Sequence, residues 1–170
     1  MKPISAGLIC LILTLGRGVA DEIPNQLIDY ELFASQVADV GRLRKDRRVT
    51  EEQFIKMSQE PGTIIFDARS DPKFNQLHVK GAKHLSLPDI TQEELAKIIS
   101  TPATRVLIYC NNNFLNEPRA FPSKAPSASL NIHTFNVLYS YGYKNIYELG
   151  PLIDIKKTKI SFEGSARDQK

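Results

Sequence analysis

The stretch R-V-L-I-Y-C-N-N-N-F, residues 105–114, decides how this chain folds. Val106 to Tyr109 form an unbroken apolar run that stops at Cys110, and three asparagines follow. A continuous run of this length, with no polar alternation, suits a strand covered on both faces, as in a parallel sheet. Thr63-Ile64-Ile65-Phe66 reads the same way and ends at Asp67. Weaker strand signals lie at Lys83 to Leu87 and at Asn145 to Leu149, the second introduced by Gly142.

Helical patterns fall between these strands. Thr50-Glu51-Glu52-Gln53 and Thr91-Gln92-Glu93-Glu94 each match a capping box, in which the threonine oxygen accepts an orphan backbone N–H and the fourth residue reaches back. Leu130, Phe135, Leu138 and Tyr139 predict an amphipathic helix before Gly142, and Leu32, Phe33, Val37 and Val40 predict another over residues 27–40. Strands alternating with helices define an α/β chain with parallel pairing. In such sheets function gathers beyond the carboxyl ends of the strands, and both Cys110 and Asp67 stand at such ends.

Residues 1–20 have the form of an export leader: Lys2, an apolar segment from Ile4 to Leu15, then small residues at Gly18-Val19-Ala20 before Asp21. The apolar segment is short for a bilayer crossing, so stable membrane insertion is not expected. Cys10 would suit a lipid attachment site, but bulky Ile9 precedes it. The expectation is an exported protein, periplasmic in a Gram-negative bacterium and otherwise secreted.

Cleavage removes Lys2 and Arg17 and no acid, so the formal charge falls from +3 to +1. A near-neutral chain gives no reason to expect nucleic acid as a partner. Cys110 then remains as the single thiol, which excludes a disulfide framework, zinc spacing and dithiol exchange. His78, His84 and His133 lack carboxylate–histidine metal spacing, and no metal or cofactor is expected. Arg42 to Arg48 carries five cations and reads as a solvated face or turn. Asn111 to Ser129, with Pro118, Pro122 and Pro126, predicts a long irregular connection of the kind that is commonly functional.

Taken in order, these pieces resemble the rhodanese domain. I-I-F-D-A-R-S followed by K-F and L-H-V-K-G-A-K-H-L-S-L is similar to that family's first signature, an Asp-x-Arg strand end leading to a His-x-x-Gly-Ala turn. V-L-I-Y-C is similar to the strand that delivers the active-site cysteine, and L-Y-S-Y-G-Y-K-N-I-Y-E-L-G to the final helix, turn and strand. The resemblance covers about residues 48–151. It implies a three-layer α/β domain with a central parallel sheet flanked by helices. The expected division is a leader at 1–20, an N-terminal helix and basic connector at 21–47, the domain proper at 48–155 and a polar tail at 156–170.

The activity that the resemblance implies is sulfur transfer, with Cys110 taking a sulfane sulfur from a small sulfur-containing anion or a persulfide donor and passing it to a thiol or cyanide. Asn111, Asn112, Asn113, Phe114, Leu115, Arg119 and Arg69 are then the candidates to hold the substrate, with Asp67, His78 and Gly81 in supporting positions. The asparagines tolerate the left-handed backbone of an anion-binding cradle. Phe114 and Leu115 would line an apolar entrance, and the Arg119 guanidinium would fork onto sulfonate-like oxygens. The departure from the family pattern is the connection after the cysteine, which is long, proline-rich and without an early arginine. Asn116 stands where a phosphatase relative of the fold would need its clamp. The alternative expectation is a non-catalytic binding or regulatory module that meets a protein partner through residues 111–129.

Overall fold

The computed structural model describes Ile23 and residues 25–166. The expected leader, with Cys10, lies outside the described residues. Helix α1 (Tyr30–Leu43) starts three residues later than its pattern predicts, because the Asp29 carboxylate caps it by accepting the Leu32 N–H at 2.7 Å. Strand β1 (Arg48–Val49) follows, then α2 (Glu51–Ser58). The capping box at Thr50 is complete, with Gln53 N–H donating to the threonine hydroxyl at 3.2 Å and the Gln53 side chain accepting from Thr50 N–H at 2.9 Å.

Next come β2 (Thr63–Asp67), α3 (Asp71–Gln76), β3 (His78–Val79) and β4 (Lys83–His84). They are followed by α4 (Gln92–Ile98), β5 (Arg105–Tyr109) and β6 (Phe114–Leu115). The chain closes with α5 (Leu130–Ser140), β7 (Ile146–Leu149), β8 (Ile153–Asp154) and β9 (Phe162–Glu163). Five strands pair in the order β1-β7-β5-β2-β4, all parallel, with β5 at the centre.

The pleat of β5 sorts its side chains into two cores. Val106 and Ile108 pack with Val40, Phe66, Leu95, Phe135 and Leu138, beneath α1, α4 and α5. Leu107 and Tyr109 pack with Phe54, Leu77, Phe114, Phe121 and Phe162 on the other face. Both faces of the sheet are covered, so the unbroken apolar runs of β2 and β5 follow from the three layers.

Two expectations change at the edges. The basic connector is not a free solvated face. Arg44 meets the buried Glu148 carboxylate at 2.7 Å, Arg48 reaches the same group at 3.0 Å, and Arg47 lies over the Tyr147 ring at 4.5 Å. A carboxylate at 2% exposure needs such partners, since an unpaired buried charge is costly. Nor is the chain beyond residue 155 uniformly a polar tail. Ile160 and Phe162 are buried in the second core, and β9 pairs antiparallel with β3. Lysines at 157 and 159 disguise this alternation of inward and outward residues.

Candidate functional site

Cys110 follows the last residue of the central strand in extended backbone (φ −149°, ψ −172°) and begins a short 3₁₀ turn, Asn111–Asn113. The pleat that sends Tyr109 to one face sends Cys110 to the other, toward the start of α5. Its sulfur lies 3.4 Å from the Ser129 hydroxyl oxygen, at the N-cap of that helix. A helix start carries partial positive charge, and a hydroxyl donates a hydrogen bond to a thiolate. The residue is only 1% exposed.

Asn113 holds this corner together. Its side-chain oxygen accepts the Cys110 N–H at 2.9 Å and the Asn131 amide at 3.1 Å. Its side-chain nitrogen donates to the carbonyls of Leu149 at 2.7 Å and Pro151 at 3.2 Å. One buried amide therefore ties the end of β5 to the end of β7 and the start of α5. Asn112 does a lighter task at the surface, exchanging two hydrogen bonds with the Lys124 backbone, at 2.8 and 3.0 Å. Asn111 is buried, and its side-chain oxygen, like that of Asn131, has no hydrogen-bond partner, so two bare acceptors belong to this corner.

The other face of the same strand ends carries a buried charge cluster. Asp67 and Tyr109 are register partners on β2 and β5. The Asp67 carboxylate accepts from the Tyr109 hydroxyl, from Arg69 N–H at 3.0 Å and from the Arg69 guanidinium at 2.7 Å. Arg69 was expected at the substrate, but each of its side-chain nitrogens is engaged within the fold. It also donates to the carbonyls of Leu77 at 2.8 Å and Ala120 at 2.9 Å, and lies 4.3 Å over the Phe121 ring. Burial opposes its charge, yet the hydrogen bonds and charge of Asp67 outweigh burial and raise its pKa. Tyr109 is pushed well above the ordinary phenol range, first by burial and then by the Asp67 charge.

The connection after the cysteine is irregular, and five of its residues, Asn111, Asn113, Phe114, Ala120 and Phe121, are buried. Phe114, expected at an entrance, is 1% exposed and packs against Tyr109, Phe121 and Phe162. Its short strand β6 pairs with β8. Leu115 remains outside, where the strand's alternation turns it. Arg119 is exposed, and what holds its position is its carbonyl, bound by Lys73. The supporting positions are structural. His78 bonds the Phe74 carbonyl at 2.8 Å and faces Glu163 at 3.3 Å, while Gly81 adopts φ +80° and donates its N–H to the same carboxylate at 2.9 Å. Among the described residues no group of metal-ligating side chains is assembled.

Ser129 and Asn131 were missed in the sequence. The available signal was a serine directly before an amphipathic run, the ordinary mark of a helix start.

The structure is thus an α/β domain whose central parallel sheet, covered by helices, presents the one cysteine among the described residues beyond its middle strand and next to a helix start. The family model for the rhodanese-like domain matches residues 50–149, and the chain belongs to that family. Two solved structures share the fold. The rhodanese-like domain of the Alr3790 protein from Anabaena sp. is 18% identical, with a TM-score of 0.53, covering 73% of this chain and 83% of its own. The BH2092 protein from Bacillus halodurans is also 18% identical, with a TM-score of 0.51, covering 76% of this chain and 85% of its own. No curated protein matches the chain.

Proposed function

We propose that this chain is an exported sulfurtransferase that works through a persulfide on Cys110. The observation that carries this reading is the thiol beyond the central strand, 3.4 Å from the Ser129 hydroxyl at the start of α5. In the first half-reaction the Cys110 thiolate attacks the outer sulfur of a donor such as thiosulfate. The donor's S–S bond breaks, sulfite leaves with the electron pair, and a new S–S bond forms on the enzyme. In the second, an acceptor thiolate or cyanide attacks that outer sulfur and returns Cys110 as thiolate. The helix start and Ser129 stabilise sulfur as an anion at both stages. Because the thiol is buried, the exposed part of the connection moves aside for each reactant. Export rests on the leader pattern of residues 1–20.

Intact mass measurement tests both parts. The protein recovered from cells should have the mass of residues 21–170, and thiosulfate or a low-molecular-weight persulfide should add one sulfur, absent in Cys110→Ser. No gain with either donor would overturn the transfer reading. A second reading then gains ground, that of a binding module, since the thiol is enclosed at 1% exposure. Full biological function in Cys110→Ser would support that module.

A further inference from the structure

Two buried amide oxygens stand in the Cys110 corner without a hydrogen-bond partner, those of Asn111 and Asn131. Both residues are more than nine-tenths buried, at 3% and 6% exposure. The network itself dictates which atom of Asn131 is left over. The Cys110 N–H can only donate, so the Asn113 atom that meets it at 2.9 Å is the oxygen. The Asn113 nitrogen is committed to the carbonyls of Leu149 and Pro151, which agrees. An amide oxygen can only accept, so the Asn131 atom 3.1 Å from it is the nitrogen. The Asn131 oxygen is therefore the unpaired end of an amide whose other end is tied to the corner. Asn111 directly follows the sulfur-bearing residue, and Asn131 stands two residues after Ser129, whose hydroxyl lies 3.4 Å from the sulfur.

The corner thus carries two kinds of polar group. The Ser129 hydroxyl and the start of α5 suit a negative sulfur. The two amide oxygens suit a hydrogen-bond donor beside it, since a buried acceptor left bare is costly and an incoming N–H removes that cost. Thiosulfate brings only further acceptors and a double negative charge. Neither arginine expected at the substrate offsets this, because Arg69 is bound to Asp67 and Arg119 is exposed.

We infer, resting on the sulfurtransferase reading of Cys110, that the sulfur donor of this site is a persulfide whose carrier thiol bears an ammonium group, in preference to thiosulfate or a carboxylate-ended persulfide. The Cys110 thiolate attacks the outer sulfur of that persulfide. A new S–S bond forms on Cys110, the donor's S–S bond breaks, and the carrier leaves as a thiolate with the electron pair, while the outer sulfur keeps its proton. The ammonium of the carrier donates to the Asn111 and Asn131 oxygens during the attack. A hydrogen bond to a charged donor is stronger than one to a neutral donor, so the selection acts on charge as well as on shape.

Quenched loading of the full chain, read by intact mass, tests this with three probes: cysteamine persulfide, mercaptopropionate persulfide and thiosulfate. Each rate is divided by that of the same donor with a small thiol in solution, which removes intrinsic reactivity. Cysteamine persulfide should exceed mercaptopropionate persulfide by roughly tenfold or more. Asn111→Leu, which exchanges a bare acceptor for an apolar group of similar size, should shrink that ratio several-fold, and Asn111→Asp should widen it. Circular dichroism verifies the fold of both variants. Equal normalised rates for the two persulfides, or faster loading by thiosulfate, overturn the donor class and leave sulfur transfer standing. A ratio indifferent to both Asn111 variants overturns it as well. Failure of all three probes to add sulfur is a different result, which removes the sulfurtransferase reading itself.

Discussion

Replacing Asn113 with alanine separates the two neighbouring asparagines by their work. The change removes the acceptor that the described residues give the Cys110 N–H, a bond of 2.9 Å in a buried setting. An orphaned buried donor costs roughly 1–3 kcal/mol. It also removes the donor to the buried Leu149 carbonyl at 2.7 Å, worth about 1 kcal/mol, and the partly buried bond to Pro151 adds a fraction of that. The Asn131 amide loses its acceptor as well. The sum is a loss of about 3–5 kcal/mol, large against the stability of a typical domain. Asn112→Ala breaks two bonds to Lys124 that lie in solvent, so water replaces them and the loss stays below about 1 kcal/mol. Urea unfolding of both variants and the parent, with unchanged slopes, gives the comparison directly. Alkylation of Cys110 should also quicken in Asn113→Ala, because its loop end is released. Equal stabilities for Asn112→Ala and Asn113→Ala would refute the assignment of Asn113 as the corner's fastening.

Two further expectations concern the scaffold. Phe162→Ala should cost about 3–5 kcal/mol in the same urea assay, since a ring buried against Phe114 and Phe121 leaves a cavity; a loss below about 1 kcal/mol would return residues 156–170 to the status of a tail. Alkaline titration should reveal Tyr109. Its folded pKa is raised above the ordinary value of 10.0, so its contribution is complete below that pH and is lost as pH rises beyond it. Phenolate absorbance should therefore show one tyrosine ionising only as the fold melts, and a free titration of every tyrosine in the native state would contradict the Asp67–Tyr109 geometry.

The sheet was legible because its physics is local. Val106 to Tyr109 and Thr63 to Phe66 had to be covered on both sides, and Thr50 and Thr91 announced the helices after them. The site was legible only to the position of Cys110. What surrounds it comes from partners far along the chain, such as Asn113 with Leu149, and Arg69 with Ala120. Residue types alone cannot tell an arginine that awaits an anion from one that already holds a buried carboxylate. Arg44 and Arg48 show the same limit, since Glu148 stands about a hundred residues away from both. By contrast α3 left a readable trace in Ser70-Asp71-Pro72, with proline in the first turn, whereas the inward positions of Ile160 and Phe162 were hidden by the lysines around them.

The passage from β5 to α5 divides at Phe121. Up to that ring the segment is framework, anchored by Phe114, by the Ala120 carbonyl on Arg69 and by Phe121 itself. Beyond it, residues 123–128 are exposed, tied back by the two bonds between Asn112 and Lys124, until Ser129 brings its hydroxyl to the sulfur. With the sulfur 1% exposed between these two halves, a reagent from outside meets Cys110 only after some displacement of the surrounding chain.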